Sequence, residues 1–244
     1  TSLDTIIFLL CLSMASSSKR GLTSYFVPQS KKPRISPRNE VAEELAKRLG
    51  TSVKYLTKDA NSWYLLKGGW WHPSSEEFSA EWDLHPKQRH VLKLFGREVE
   101  EKRWSQSWGV SYSYSGSTNV AKPFSESSNV TTALIQQANE LTKDVVNCEV
   151  TSPYNGCLQN WYQPNDTIGL HSDDESSQRK ECPIFSLSWG GTRRFLFRSR
   201  DEKKHKTEIF LKDGDLLVMG GTCQETHQHE VPKRRVTMDP ESSN

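Results

Sequence analysis

The sequence predicts an α+β fold, mainly β, with N-terminal helices flanking a β-rich core. Three observations carry this. Beyond Cys157, short apolar runs (158–162, 184–189, 194–198, 208–211 and 216–219) are separated by Gly, Asp, Asn and Pro, the pattern of closely spaced strands. Ahead of them, two stretches keep a helical period instead. Third, His171 and Asp173 form a His-x-Asp pair far in sequence from His227 and His229. A ligand set drawn from distant strands suggests a double-stranded β-helix, a jelly-roll barrel.

Taken in order, the chain of 244 residues can bury a sizeable core as one large domain or two small ones. Hydrophobic content of 34% with 25% charged residues excludes a membrane-spanning class and fits a polar surface. The apolar run from Ile6 to Leu12 is too short to span a bilayer and has Asp4 in place of a basic flank. Met14 reads as a plausible start, which makes residues 1–13 upstream sequence. From Ala15 to Asn39 the chain is rich in Ser, Pro, Lys and Arg with no acidic residue, so residues 1–38 read as a disordered basic tail. Lys31-Lys32-Pro33-Arg34 is a basic cluster of the nuclear-import type. None of the five cysteines forms a Cys-x-x-Cys pair, the usage of a reduced intracellular protein.

The folded part is expected over 39–244. Asn39 can cap a helix with Val41, Leu45 and Leu49 on one face. The six tryptophans between Trp63 and Trp108 read mostly as core. Val91–Gly96 suggests a strand, and Trp108, Val110, Tyr112 and Tyr114 alternate on one strand face. A second helix over 129–143 aligns Val130, Leu134, Ala138 and Leu141. Asp213-Gly214 marks a turn.

The chemistry centres on Asn160 to Glu175. In a strand, i and i+2 share a face, so the His171 imidazole and the Asp173 carboxylate converge. A third ligand comes from His227 or His229, which are also two apart, and periodicity leaves both open. Two histidines and one carboxylate with open positions opposite are the ligand set of non-haem Fe(II) oxygenases. By the same alternation Asn160 pairs with Tyr162, and Glu175 falls in line with His171 and Asp173. Arg193, Arg194, Arg198, Arg200, Lys203, Lys204 and Lys206 form a basic run suited to phosphate contacts.

Several ordered blocks together resemble the AlkB family of Fe(II)- and 2-oxoglutarate-dependent dealkylases: Tyr112-Ser113-Tyr114-Ser115-Gly116, Asn160-x-Tyr162, Ile168-Gly169-Leu170-His171-x-Asp173-Asp174-Glu175, Gly214-Asp215-Leu216-Leu217 and His229-x-Val231-Pro232-Lys233. The resemblance implies that His229, which precedes x-Val-Pro-Lys, is the third iron ligand, and that Asn160 and Tyr162 bind 2-oxoglutarate. It implies that Tyr114, or else Tyr112, stacks on an alkylated base and that Glu175 accepts a hydrogen bond from it. The activity implied is oxidative demethylation of bases of the 1-methyladenine and 3-methylcytosine type in DNA, in the nucleus. The alternatives are the same chemistry on RNA and a non-catalytic clamp- or nucleic-acid-binding module. The last of these stays open because the family's Arg-x-Asn-x-Thr-x-Arg strand, which holds 2-oxoglutarate, is not found; the expectation is a domain that stops before its last strand. Within the tail, residues 19–26 resemble the peptide that binds the replication sliding clamp, with Leu22, Tyr25 and Phe26 on one face of a short turn and Lys19 in place of the expected glutamine.

Overall fold

The structure is a computed structural model that describes residues 4–11, 38–94, 96–114, 117–146, 153–174, 182–202 and 205–234. Its strands in chain order begin with β1 (Thr5–Cys11), β2 (Val53–Tyr55), β3 (Ser62–Lys67), β4 (Val91–Leu94), β5 (Arg97–Glu100), β6 (Trp104–Trp108), β7 (Tyr112–Tyr114) and β8 (Ser117–Asn119). They continue with β9 (Gly156–Tyr162), β10 (Ile168–His171), β11 (Ile184–Gly190), β12 (Arg193–Ser199), β13 (Lys206–Leu211), β14 (Asp215–Gly221) and β15 (His227–Val231). The helices are α1 (Glu40–Leu49), α2 (Ser75–Trp82), α3 (Asn129–Thr142) and the single turn α4 (Cys223–Thr226).

Two antiparallel sheets build the core. The larger runs β2-β3-β14-β11-β1-β9-β6 and the smaller β10-β15-β12-β13. Strand alternation gives the larger sheet two apolar faces. On one, Ile6, Phe8, Trp161, Leu187, Trp189 and Val218 pack with Leu45 and Ala46 of α1 and Leu134 and Ala138 of α3. On the other, Ile7, Leu9, Leu158, Tyr162, Leu217 and Met219 meet Phe195, Phe197, Ile209 and Val231 of the smaller sheet. The result is a jelly-roll core with helices on one outer face, as its strand spacing predicts.

The helices form where capping and period coincide. Asn39 caps α1, its side chain accepting from the Ala42 amide, and Gly50 closes it in the left-handed region at φ 61°. Ser128 caps α3 in the same way. Trp63 and Trp108 are core residues, while Trp70, Trp71, Trp82 and Trp104 pack partly buried against them.

Two expectations require correction. Residues 1–38 do not all lie outside the fold. Thr5–Cys11 is a central strand, paired with β9 from Thr5↔Tyr162 to Cys11↔Gly156 and with β11 from Thr5↔Gly190 to Leu9↔Ser186. A continuous apolar run is what a strand buried on both faces requires, and it carries no period by which to recognise it. The segment from Trp108 to Tyr114 is likewise not one strand. Gly109 breaks it at φ 77°, where a Cβ would meet the Phe124 ring and the Asn155 carbonyl. Trp108 therefore faces the helix-side core and Tyr112 the opposite one.

Candidate metal centre

β10 and β15 pair so that His171 lies opposite His229, after a register irregularity between Ile168 and His171. The chain leaves β10 at His171, and Asp173 follows two residues later. The Asp173 amide donates to Gln224 Oε1 at 3.0 Å, which fixes the turn. His171, Asp173 and His229 are all buried, and their ligand atoms lie within 4.8 Å of one another. The His171 and His229 rings are 4.2 Å apart. His171 Nδ1 is 2.8 Å from the Gly169 carbonyl, which turns Nε2 toward the centre. Phe195 stacks on His229 at 5.2 Å and holds its ring plane.

The electrostatics suit a cation. Burial and the facing His229 bring the His171 imidazole down to about 4, so at neutral pH it offers a lone pair. Burial alone would raise the Asp173 carboxyl, but the two histidines and the Tyr112 phenol outweigh it and hold it at about 2. Asp173 Oδ2 is buried and accepts no hydrogen bond although His229 Nε2 lies 3.3 Å away. An orphaned carboxylate oxygen beside two imidazoles is the donor set of a divalent metal.

The same strands decide between the two histidines of β15. His227 is not in the cluster; its Nδ1 contacts Thr226 Oγ1 at 2.8 Å, and its carbonyl accepts from Ser172.

The triad opens into a pocket with about 510 Å³ of empty space, part of it continuous with solvent. Asn160, Tyr162 and Tyr112 line it, with Ile7 and Leu9 of β1 forming an apolar wall. The Tyr112 hydroxyl donates to Asp173 Oδ1 at 3.1 Å, so this phenol orients a ligand carboxylate. Tyr114 is placed by its backbone in β7, but its side chain and all of Glu175, Leu22, Tyr25 and Phe26 lie outside the described residues. Two residues escape the sequence reading, Gln224 beside Asp173 and Arg103 in the pocket lining. Gln224 sits on the α4 turn with no motif to mark it. Arg103 reads as part of a surface charge run, although Glu101, Arg103 and Ser105 alternate as a strand edge would.

The described arginines of the basic run are all paired, while Lys203 and Lys204 lie outside the described residues. Arg193 is buried, donating to the Asp166 and Pro232 carbonyls. Arg194 pairs with Glu208, Arg198 with Glu230 and Arg200 with Asp174. Each arginine expected to contact phosphate is committed to an acid or to backbone.

The profile of a family described as the 2OG-Fe(II) oxygenase superfamily matches residues 69–244. The chain belongs to that superfamily. Within it, the relatives are AlkB homologues. The mouse protein named DNA oxidative demethylase ALKBH2 is 31% identical over 161 residues, 61% of this chain and 62% of that protein. The human alpha-ketoglutarate-dependent dioxygenase alkB homolog 3 is 37% identical over 97 residues, 36% of this chain and 34% of that one. The chain thus spans less than two thirds of either relative. An RNA replication protein of Grapevine virus A is 28% identical over 156 residues, covering 64% of this chain and 8% of its own length. A solved structure described as "The structure of OsALKBH1" aligns at TM-score 0.46 and 18% identity, over 78% of this chain and 91% of that one. The fold assignment rests on the strand order above and not on that alignment. Membership of this superfamily implies Fe(II) and 2-oxoglutarate as cofactors, and the His171, Asp173, His229 triad fits the iron.

Proposed function

We propose that this protein is a dioxygenase that oxidatively demethylates bases alkylated on a Watson–Crick nitrogen, 1-methyladenine and 3-methylcytosine among them, in DNA. The observation that carries the reading is the buried triad with its orphaned Asp173 oxygen, set in a pocket that Asn160 and Tyr162 also line. The names of the mouse and human relatives support the reaction class. Iron and 2-oxoglutarate, when bound, supply the oxidising power that hydroxylates an N-alkyl carbon with O₂, the co-substrate becoming succinate and CO₂. The hemiaminal product then collapses to an aldehyde and the restored base.

The chain's own part is to position and to shield. His171, Asp173 and His229 hold the metal. Asn160 and Tyr162 offer an amide and a phenol to the co-substrate from one face of β9. Tyr112 orients Asp173 rather than the base, which leaves stacking on the flipped base to Tyr114 and its hydrogen bond to Glu175. Residues 39–244 together with β1 make up the catalytic domain, and the intervening basic segment carries the clamp-binding peptide and the nuclear-import cluster.

A second reading, the same chemistry on RNA, is favoured by the match to the viral RNA replication protein. Incubating the full chain with Fe(II), 2-oxoglutarate and paired DNA and RNA oligonucleotides carrying 1-methyladenine separates the two. The expected result is aldehyde release from DNA at least about tenfold faster than from RNA. The reverse order would hand the substrate to RNA, and no release from either would remove the enzymatic reading.

A further inference from the structure

We propose that Ser172, the middle residue of the His-x-Asp pair, is a positioning residue for the metal and that Arg200 acts through it: the Ser172 hydroxyl fastens the ligand turn to β15, and the Arg200 guanidinium fixes the direction of that hydroxyl. This rests on the metal reading of the triad. The β10–β15 pairing ends with His171 opposite His229. In that register Asp173 would lie opposite His227 if the ladder ran on. Instead β10 stops at His171, the Asp173 amide donates to Gln224 Oε1 at 3.0 Å, and the His227 carbonyl accepts from Ser172 Oγ at 2.9 Å. Two bonds made by side chains thus stand where the ladder would have continued. They leave the chain free to turn, with Asp173 Oδ1 3.6 Å from His171 Nε2 and Oδ2 3.3 Å from His229 Nε2.

The direction of the Ser172 bond follows from the chemistry of its partners. A guanidinium only donates and a carbonyl only accepts. Arg200 Nη2 donates to Ser172 Oγ at 2.8 Å, so the one hydroxyl proton goes to the His227 carbonyl. Arg200 is held in place for this by its backbone: its amide donates to the Thr226 carbonyl at 2.9 Å, and β12 pairs Ser199 with His227. The ion pair of Arg200 with Asp174, at 3.4 Å between two half-exposed side chains, contributes little by comparison. Ser172 and His227 are both buried, so deleting the hydroxyl strands a carbonyl where water does not readily replace the donor. The acceptor belongs to the backbone and survives substitution of the His227 side chain. His171 and Asp173 flank Ser172, and His229 lies two residues beyond His227. One bond therefore bears on the spacing of all three ligands, and affinity for a divalent ion depends on that spacing being set in advance.

The test is Mn(II) titration of the full chain followed by electron paramagnetic resonance, beside thermal melting of the metal-free chain. Ser172→Ala is expected to bind Mn(II) about 10- to 100-fold more weakly, with a metal-free melting temperature within about 4 °C of wild type. Arg200→Gln is expected to weaken Mn(II) about threefold or more, because the hydroxyl can then turn away from the carbonyl. Because Arg200 works through Ser172, the double variant S172A/R200Q should be no more than about twofold weaker than S172A. Losses that simply multiply would mean that Arg200 acts on the site by another route and would overturn the coupling. An S172A chain that melts lower but binds Mn(II) within about twofold of wild type would make the bond a structural tie only and overturn the proposal. If S172A does not fold, R200Q decides, since Arg200 is partly exposed: Mn(II) affinity within about twofold of wild type sinks the idea. A wild-type chain that binds no Mn(II) would instead remove the metal reading, and the proposal with it.

Discussion

Asp173 answers to three groups at once. Its backbone is held by Gln224, its Oδ1 by the Tyr112 hydroxyl, and its Oδ2 is left for a metal. Removing a ligand differs in kind from loosening one. Asp173→Ala or His229→Ala is expected to bring dealkylation below detection, while His227→Ala stays within about 10- to 100-fold of wild type. A dead His227→Ala beside an active His229→Ala would reverse the ligand assignment. Tyr112→Phe keeps the ring and deletes only the hydroxyl, so its metal affinity should fall by about 10- to 100-fold with the melting temperature little changed. Mn(II) titration followed by electron paramagnetic resonance reads this directly. The His-x-Asp pair is legible because strand alternation is local. The Tyr112 bond is not, since it joins residues 61 positions apart through a fold that alternation alone does not specify.

Elements divide along the same line. α1 and α3 announce themselves by cap and period, and the structure places both within one residue of expectation. β1 does not, because its continuous apolar run carries no period and reads as upstream sequence. Its burial makes the question measurable. Phe8 is fully buried and meets Trp189 edge-on at 5.2 Å. Phe8→Ala should cost about 3–5 kcal/mol of stability in urea unfolding, by lost transfer energy plus the cavity. No loss would mean that the strand is dispensable to the sheet. β12 carries the opposite lesson, since a dense run of arginines looks like a phosphate surface until its partners are known. With Arg194 and Arg198 paired to Glu208 and Glu230, substituting both with Gln should leave the slope of log affinity for DNA against log salt nearly unchanged. Two lost phosphate contacts would reduce it by about 2.

At the scale of the whole molecule, the proposed function gives the basic segment a task separate from that of the oxygenase domain. The described cysteines Cys157, Cys182 and Cys223 are buried and form no disulfide with one another, and no described helix is long and apolar enough to cross a membrane. Among the described residues, every one that lines the pocket comes from β1 or from the chain beyond Lys102. Leu22, Tyr25 and Phe26, with Val27 beside them, are nonetheless large apolar side chains in a mostly polar stretch, and such side chains gain little without a partner. The two tasks should therefore separate on mutation. Tyr25→Ala/Phe26→Ala in the full chain is expected to remove binding to the sliding clamp in calorimetry while leaving dealkylation of a free oligonucleotide within about twofold, since distant sites act independently. If clamp binding survives the double substitution, the segment is a basic tail and the clamp contact lies elsewhere. If dealkylation falls with it, the segment belongs to the catalytic unit, and the division of labour between domain and tail is wrong.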